Sequence, residues 1–153
     1  MQKPAQIVAL ETKLTYSVTK FDSLTDIYLQ SHLAKYLIII TAGYFEQVVQ
    51  SSLTNYARPR AQGEIVNYVD TTLAWEGSIN RNKLERILAR LDISWFKALE
   101  AAALDAEKQA VDSVKDLRDQ LAHGNDNGVG YGTARGYHFL VRGYASRLIG
   151  VLP

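Results

Sequence analysis

Residues 117 to 126, Leu-Arg-Asp-Gln-Leu-Ala-His-Gly-Asn-Asp, put an arginine, acids, amides and a histidine into one short run that ends in turn-forming residues. On a helix of 3.6 residues per turn, Arg118 and His123 leave the rod about 140° apart, so they do not form an i, i+4 pair. Asp119 and His123 lie about 40° apart, close enough for the carboxylate to accept an imidazole N–H, fix its tautomer and favour its charged form. The plainer reading is electrostatic: a cation near a helix C-terminus complements the macrodipole, and Lys115 would serve as well as His123.

Other chemistries find little support. The chain has no cysteine, which removes disulfides, thiolate metal sites and a cysteine nucleophile, and fits a reducing compartment such as the cytoplasm. His32 and His138 have no histidine or paired acid at metal-ligand spacing, so they read as partly exposed helix residues and no metal is assigned. There is no G-x-S-x-G elbow. The glycine-rich run Gly128 to Gly136 lacks the G-x-G-x-x-G spacing and follows a helix, so it reads as a flexible connector and no cofactor is expected. Arg81, Arg86 and Arg90 group on one side of a helix, a pattern that is ordinarily a solvated face and alternatively a phosphate-binding ridge. The formal net charge is +1, so attraction to nucleic acid would have to come from a local patch.

The elements that must carry these residues are helical nearly throughout. With 153 residues, 47% apolar and 22% charged, the chain fits one domain, 1–153, and a domain of that size buries roughly 70% of its unfolded surface. Neither a signal-peptide core nor the run of ~20 apolar residues needed for a membrane span is present. Ile7, Leu10, Leu14, Phe21, Leu24 and Tyr28 mark a first helix over about residues 5 to 29. A second runs from an N-cap near Ser31 to Tyr56, apolar on several sides through Leu37-Ile38-Ile39-Ile40, and Arg58-Pro59 ends it. Residues 61 to 75 predict a shorter helix with Ile65, Tyr68, Val69 and Leu73 inward. Asn80 caps a helix through Leu91 whose core stripe is Leu84, Ile87, Leu88 and Leu91, and 93 to 99 reads as a short anchoring segment. From about Leu104 a helix carries the opening motif to its glycine stop, and Thr133 caps the last helix. The pattern predicts an all-α, up-and-down four-helix bundle with two additional short helices and no second domain.

With Arg118, Asp119, Leu121, Ala122, His123 and Gly124 at the end of such a helix, the chain resembles the HEPN superfamily, whose signature is R-x4-6-H with a polar residue after the arginine. The form R-D-Q-L-A-H-G, with Tyr44-Phe45-Glu46 on an apolar second helix, is most similar to the RiboL-PSP-type HEPN domain. The resemblance implies a metal-independent endoribonuclease, a toxin or antiphage-defence effector, that cleaves RNA as a homodimer whose two motifs face each other in one composite site. An antitoxin or a nucleotidyltransferase is the further partner it implies, and a non-catalytic nucleotide- or RNA-binding or protein-interaction module is the alternative.

RNA cleavage without metal uses the 2′-hydroxyl as an internal nucleophile. The protein must then move protons and hold phosphorane charge, tasks suited to His123 as general acid or base and to Arg118 as a two-pronged phosphate clamp. On the same resemblance Asp119 orients His123, Glu46 positions Arg118, and Gln120 and Asn125 are neighbours placed to touch RNA. The surplus apolar surface for dimerisation is expected around residues 93 to 121.

Overall fold

The computed structural model describes every residue from Met1 to Pro153 as an all-α structure of seven helices. Four are long: α1 (Ala5–Asp22), α2 (Ile27–Ala57), α6 (Asp105–Ala122) and α7 (Tyr131–Val151). Three short helices, α3 (Gly63–Ala74), α4 (Arg81–Ala89) and α5 (Ile93–Ala102), fill the chain between α2 and α6. The segment expected only as an anchor at 93 to 99 is thus itself a helix, giving three short helices instead of two.

Cross-links between the long helices fix their directions. Tyr44 donates to Glu11 at 2.7 Å, and Gln6 of α1 reaches Ser51 of α2, so those two run antiparallel. The N-terminal amine meets the Leu152 carbonyl at 2.8 Å and Arg135 meets Asp22 at 2.9 Å, which sets α7 antiparallel to α1. Arg147 reaches Glu107 at 2.7 Å while the α6 C-terminus feeds directly into α7, so α6 opposes α7. The result is an up-down-up-down bundle with α2 and α7 pointing the same way. Its core is one continuous cluster in which Leu37, Ile38, Val48 and Leu53 of α2 meet Val141, Tyr144 and Leu148 of α7. No helix is long and apolar enough to cross a membrane.

Several boundaries differ from those the periodicity suggests. The apolar stripe continues through Phe21, Leu24 and Tyr28, yet α1 stops at Asp22, where Ser23 turns its hydroxyl onto the Lys20 carbonyl at 2.7 Å. The Asp26 carboxylate then accepts the Leu29 N–H at 3.0 Å and starts α2, so Ser31 lies inside that helix. Short polar side chains that can bond the backbone offer an exit from a helix that hydrophobic spacing does not register. The last helix begins at Tyr131 with Gly130 as N-cap, so Thr133 sits in its first turn and the glycine-rich run is helical from Tyr131 onward.

Helix α3 is the larger departure. None of its side chains is buried, and the expected inward residues Ile65 and Tyr68 are 55% and 68% exposed. It lies along the C-terminal half of α2, where the Asp70 carboxylate accepts from Gln50 at 3.1 Å and from Thr54 at 3.0 Å. The Asn80 cap is as expected, accepting the Lys83 N–H at 2.9 Å, and Leu84, Ile87 and Leu88 are buried while Leu91 is exposed. The arginine ridge does not act as a unit. Arg81 is bound by Glu100 and Asp112, Arg90 pairs with Glu76, and Arg86 is exposed. His138, expected as partly exposed, is wholly buried in α7 against Thr41, whereas His32 lies on the surface.

Candidate functional site

The end of α6 is built as the sequence suggests. His123 is its C-cap, and Gly124 follows at φ 77, a left-handed conformation that glycine adopts without the Cβ penalty. The Gly124 N–H reaches the Leu121 carbonyl at 3.1 Å and the Asn125 N–H reaches Gln120 at 3.0 Å, the paired bonds of a Schellman stop. The chain after it is tied down. Asp126 pairs with Lys35 of α2 at 2.8 Å, and Asn127 donates to the Leu117 carbonyl at 3.2 Å. His123, Asn125 and Gln120 all face solvent, and Arg118 is half-buried at the same helix end.

Asp119 has a different set of partners from the one its spacing suggested. Its Oδ1 accepts from the Ser78 hydroxyl at 2.6 Å and from Arg118 at 3.3 Å, and its Oδ2 meets Lys115 at 3.0 Å. These bonds, the Ser78 hydroxyl first among them, hold its carboxyl below the usual aspartate range. Asp119 is thus bonded to Arg118, and no side-chain bond joins it to His123. Glu46 does not touch Arg118 either. It accepts the backbone N–H of Ser78, so it reaches the motif through a residue that neither spacing nor composition singles out. Lys115, expected only as a dipole complement, adds a second cation beside Arg118.

Ser78 is the residue that sequence reasoning missed. The turn Trp75-Glu76-Gly77-Ser78 could be read as the end of a helix, but nothing local indicates a bond to an aspartate 41 positions away. Beneath it, the gap among Phe45, Ile79, Val111, Val114 and Val141 measures only about 10 Å³, so the polar cluster sits on a closed core and opens outward. The roomier clefts lie elsewhere, around Pro4, Asn55 and Arg58 at the far end of α2, and hold none of the motif residues.

The face of α2 next to this cluster carries exposed apolar residues. Tyr28, His32, Tyr36 and Ile39 fall within about 80° of Glu46 around the helix axis. Helix α3 and Ser78 cover that side from Glu46 onward. Toward the N-terminus Asp126 reaches it at Lys35, about 20° from Glu46 around the axis, while Tyr28 is 75%, Tyr36 51% and Ile39 49% exposed. In the 93–121 region only Ile93 and Leu104 are large exposed apolar residues, so the apolar surface expected there lies on α2.

Seven helices and no strand make the protein an all-α helical bundle. The RiboL-PSP-HEPN family profile matches residues 10–152, and the chain belongs to that family. No curated protein and no solved structure gives a significant match.

Proposed function

We propose that the protein is an endoribonuclease that needs no metal and acts as a homodimer, with Arg118 and His123 of both copies forming one site. The observation that carries this reading is the arrangement at the end of α6. The Schellman turn presents His123 to solvent, while the half-buried Arg118 is braced by Asp119. A histidine and an arginine that diverge on one helix can converge when a second copy brings the same helix end opposite.

In the proposed reaction the 2′-oxygen of RNA attacks the adjacent phosphorus while His123 of one copy accepts the 2′-hydroxyl proton. The bond from phosphorus to the 5′-oxygen breaks as the other copy's imidazole protonates the leaving oxygen, and Arg118 holds the non-bridging oxygens. The product ends in a 2′,3′-cyclic phosphate. Asn125 and Gln120, exposed on either side of His123, are placed to contact the strand. A toxin or defence role, with an antitoxin or nucleotidyltransferase as partner, follows from the family likeness alone.

The test is cleavage of structured and unstructured RNA in EDTA by wild type, Arg118→Ala and His123→Ala. Wild type should cut and leave cyclic phosphate ends, with both variants slower by about 100-fold or more, the scale of one lost acid–base or charge-stabilising group. Equal cutting by all three would remove the assignment. One observation favours a second reading as a non-cleaving RNA-binding module: the net charge is +1 and Arg118's own charge is partly offset by Asp119. Arg118-dependent RNA binding without turnover would establish it.

A further inference from the structure

We propose that Ser78 is the positioning residue of this site: clamped between α2 and α6, it fixes the Asp119 carboxylate and, through it, the direction in which the Arg118 guanidinium meets phosphate. The proposal rests on the reading of Arg118 as a phosphate clamp and adds a residue that the motif does not contain.

Adjacent residues on a helix point about 100° apart, so a contact between Arg118 and Asp119 is not the default of helical geometry. It needs something to hold the carboxylate in place. Ser78 does so from a different element, with its hydroxyl 2.6 Å from Asp119 Oδ1 and its N–H on Glu46 of α2. Both of its donors are committed, one to each helix. Without it, Asp119 would keep only Lys115 and Arg118, two long flexible cations on its own helix.

The backbone at Ser78 points the same way. Its φ of 54 makes it the only non-glycine residue in the left-handed region, which disfavours a side chain other than asparagine or aspartate. Gly77 stands immediately before it, yet the left-handed position itself carries a hydroxyl. The surrounding turn is bolted so that this conformation persists. Glu76 binds Arg90 at 2.7 Å, Lys83 binds the Gly77 carbonyl at 2.7 Å, Ile79 is buried, and the Arg81 N–H meets Asp112 at 3.0 Å. Asp112 and Asp119 lie two turns apart on α6, so the segment from Ser78 to Arg81 is fastened to that helix at two points. Ser78 is also the first cause of the lowered Asp119 carboxyl.

Three variants separate positioning from folding. Ser78→Gly keeps the N–H to Glu46, relieves the left-handed strain and deletes the hydroxyl. Ser78→Ala deletes it with the strain retained, and Ser78→Asn restores a side-chain donor that tolerates this conformation. The readouts are unfolding by urea, the titration of the Asp119 carboxyl by 13C NMR, and kcat and KM for a short unstructured RNA in EDTA.

Ser78→Gly should fold like wild type, let the Asp119 midpoint rise toward the ordinary 3.8, and lower kcat by about 10-fold with a smaller change in KM. Ser78→Asn should recover most of that loss. On an Arg118→Ala background, Ser78→Gly should add little, because the residue it positions is gone. Unchanged titration in Ser78→Gly, full activity, or a loss fully additive with Arg118→Ala would each overturn the proposal. If wild type itself does not cut RNA, the nuclease reading fails on that result alone. The Asp119 titration and the order of the Arg118 Nε–H signal then still decide whether Ser78 positions the pair.

Discussion

His123 and His138 show how far one side chain's behaviour depends on its surroundings. His123 stands in solvent at the end of a helix, whereas His138 is completely buried with Nδ1 2.9 Å from the Thr41 hydroxyl and Nε2 without a partner. Burial first, and then the Arg142 charge one turn on, push the His138 pKa down to about 4. The unfolded chain therefore binds a proton near pH 6.5 that the folded chain refuses until about pH 4, so this contribution is complete above 6.5 and is lost as pH falls through that window. Over the window the folded state should lose about 3 kcal/mol from this group. Urea unfolding of wild type and His138→Met at pH 7 and pH 4.5 checks it. The variant should show a distinctly smaller drop between the two, and equal drops would refute the assignment. Spacing revealed neither this burial nor the partners of Asp119, since Thr41 and Ser78 come from distant parts of the chain. What spacing did convey was the motif itself, because arginine, aspartate and histidine within six residues of a glycine stop are all local.

At the level of elements, the four long helices were legible because each buries an apolar stripe in one core, and that burial writes a 3.6-residue period into the sequence. Where burial is only partial the period misleads, as in α3, where Leu73 packs against the core but Ile65 and Tyr68 of the apparent core face are exposed. Glycines divide along the same line between local conformation and packing. Gly124 is required by its positive φ at the end of α6, so Gly124→Ala should cost about 1 to 2 kcal/mol and loosen His123, lowering RNA cleavage as well as the urea midpoint. Gly136 lies in the interior of α7 with open space where a Cβ would go, so Gly136→Ala should instead stabilise by about 0.5 to 1 kcal/mol. Gly143 is a packing case, since a Cβ there would strike the Glu107 carboxylate. That carboxylate accepts the Leu104 N–H at 2.9 Å and pairs with Arg147 at 2.7 Å from a buried position. Gly143→Ala should displace it and cost about 3 kcal/mol, the scale for a buried ion pair broken from one side. Denaturant titration of the three variants side by side reads all of these, and a stabilising Gly143→Ala would contradict the packing account.

The end of α6 and the apolar stripe of α2 are linked, since Asp126 just past the motif pairs with Lys35, about 20° from Glu46 around α2, and that link argues for a second copy more directly than either feature alone. Tyr28, His32, Tyr36 and Ile39 continue the face of α2 that Glu46 occupies, and Glu46 joins the motif through Ser78. A two-fold pairing that covered this stripe would use the same patch on both copies and carry the two ends of α6 toward each other. The 93–121 surface expected from sequence offers no comparable patch, because helical periodicity marks residues as apolar without saying which neighbour covers them. Ile39→Asp should therefore sediment as a folded monomer and lose RNA cleavage. The stronger test mixes two dead variants. In a homodimer of Arg118→Ala no arginine of the motif remains, and in one of His123→Ala no histidine remains. A mixed dimer keeps Arg118 from one copy and His123 from the other, and random exchange makes about half of all dimers mixed. The mixed dimer holds one imidazole where the proposed site has two, so co-refolding should restore a small but measurable part of wild-type cleavage, with solvent protonating the leaving oxygen in place of the second imidazole. Adding Ile39→Asp to both should abolish the recovery, because the two halves of the site then no longer meet. No recovery from exchanged, dimeric variants would mean that one arginine and one histidine from opposite copies do not make a working site, against the sharing that their 140° divergence on α6 suggests.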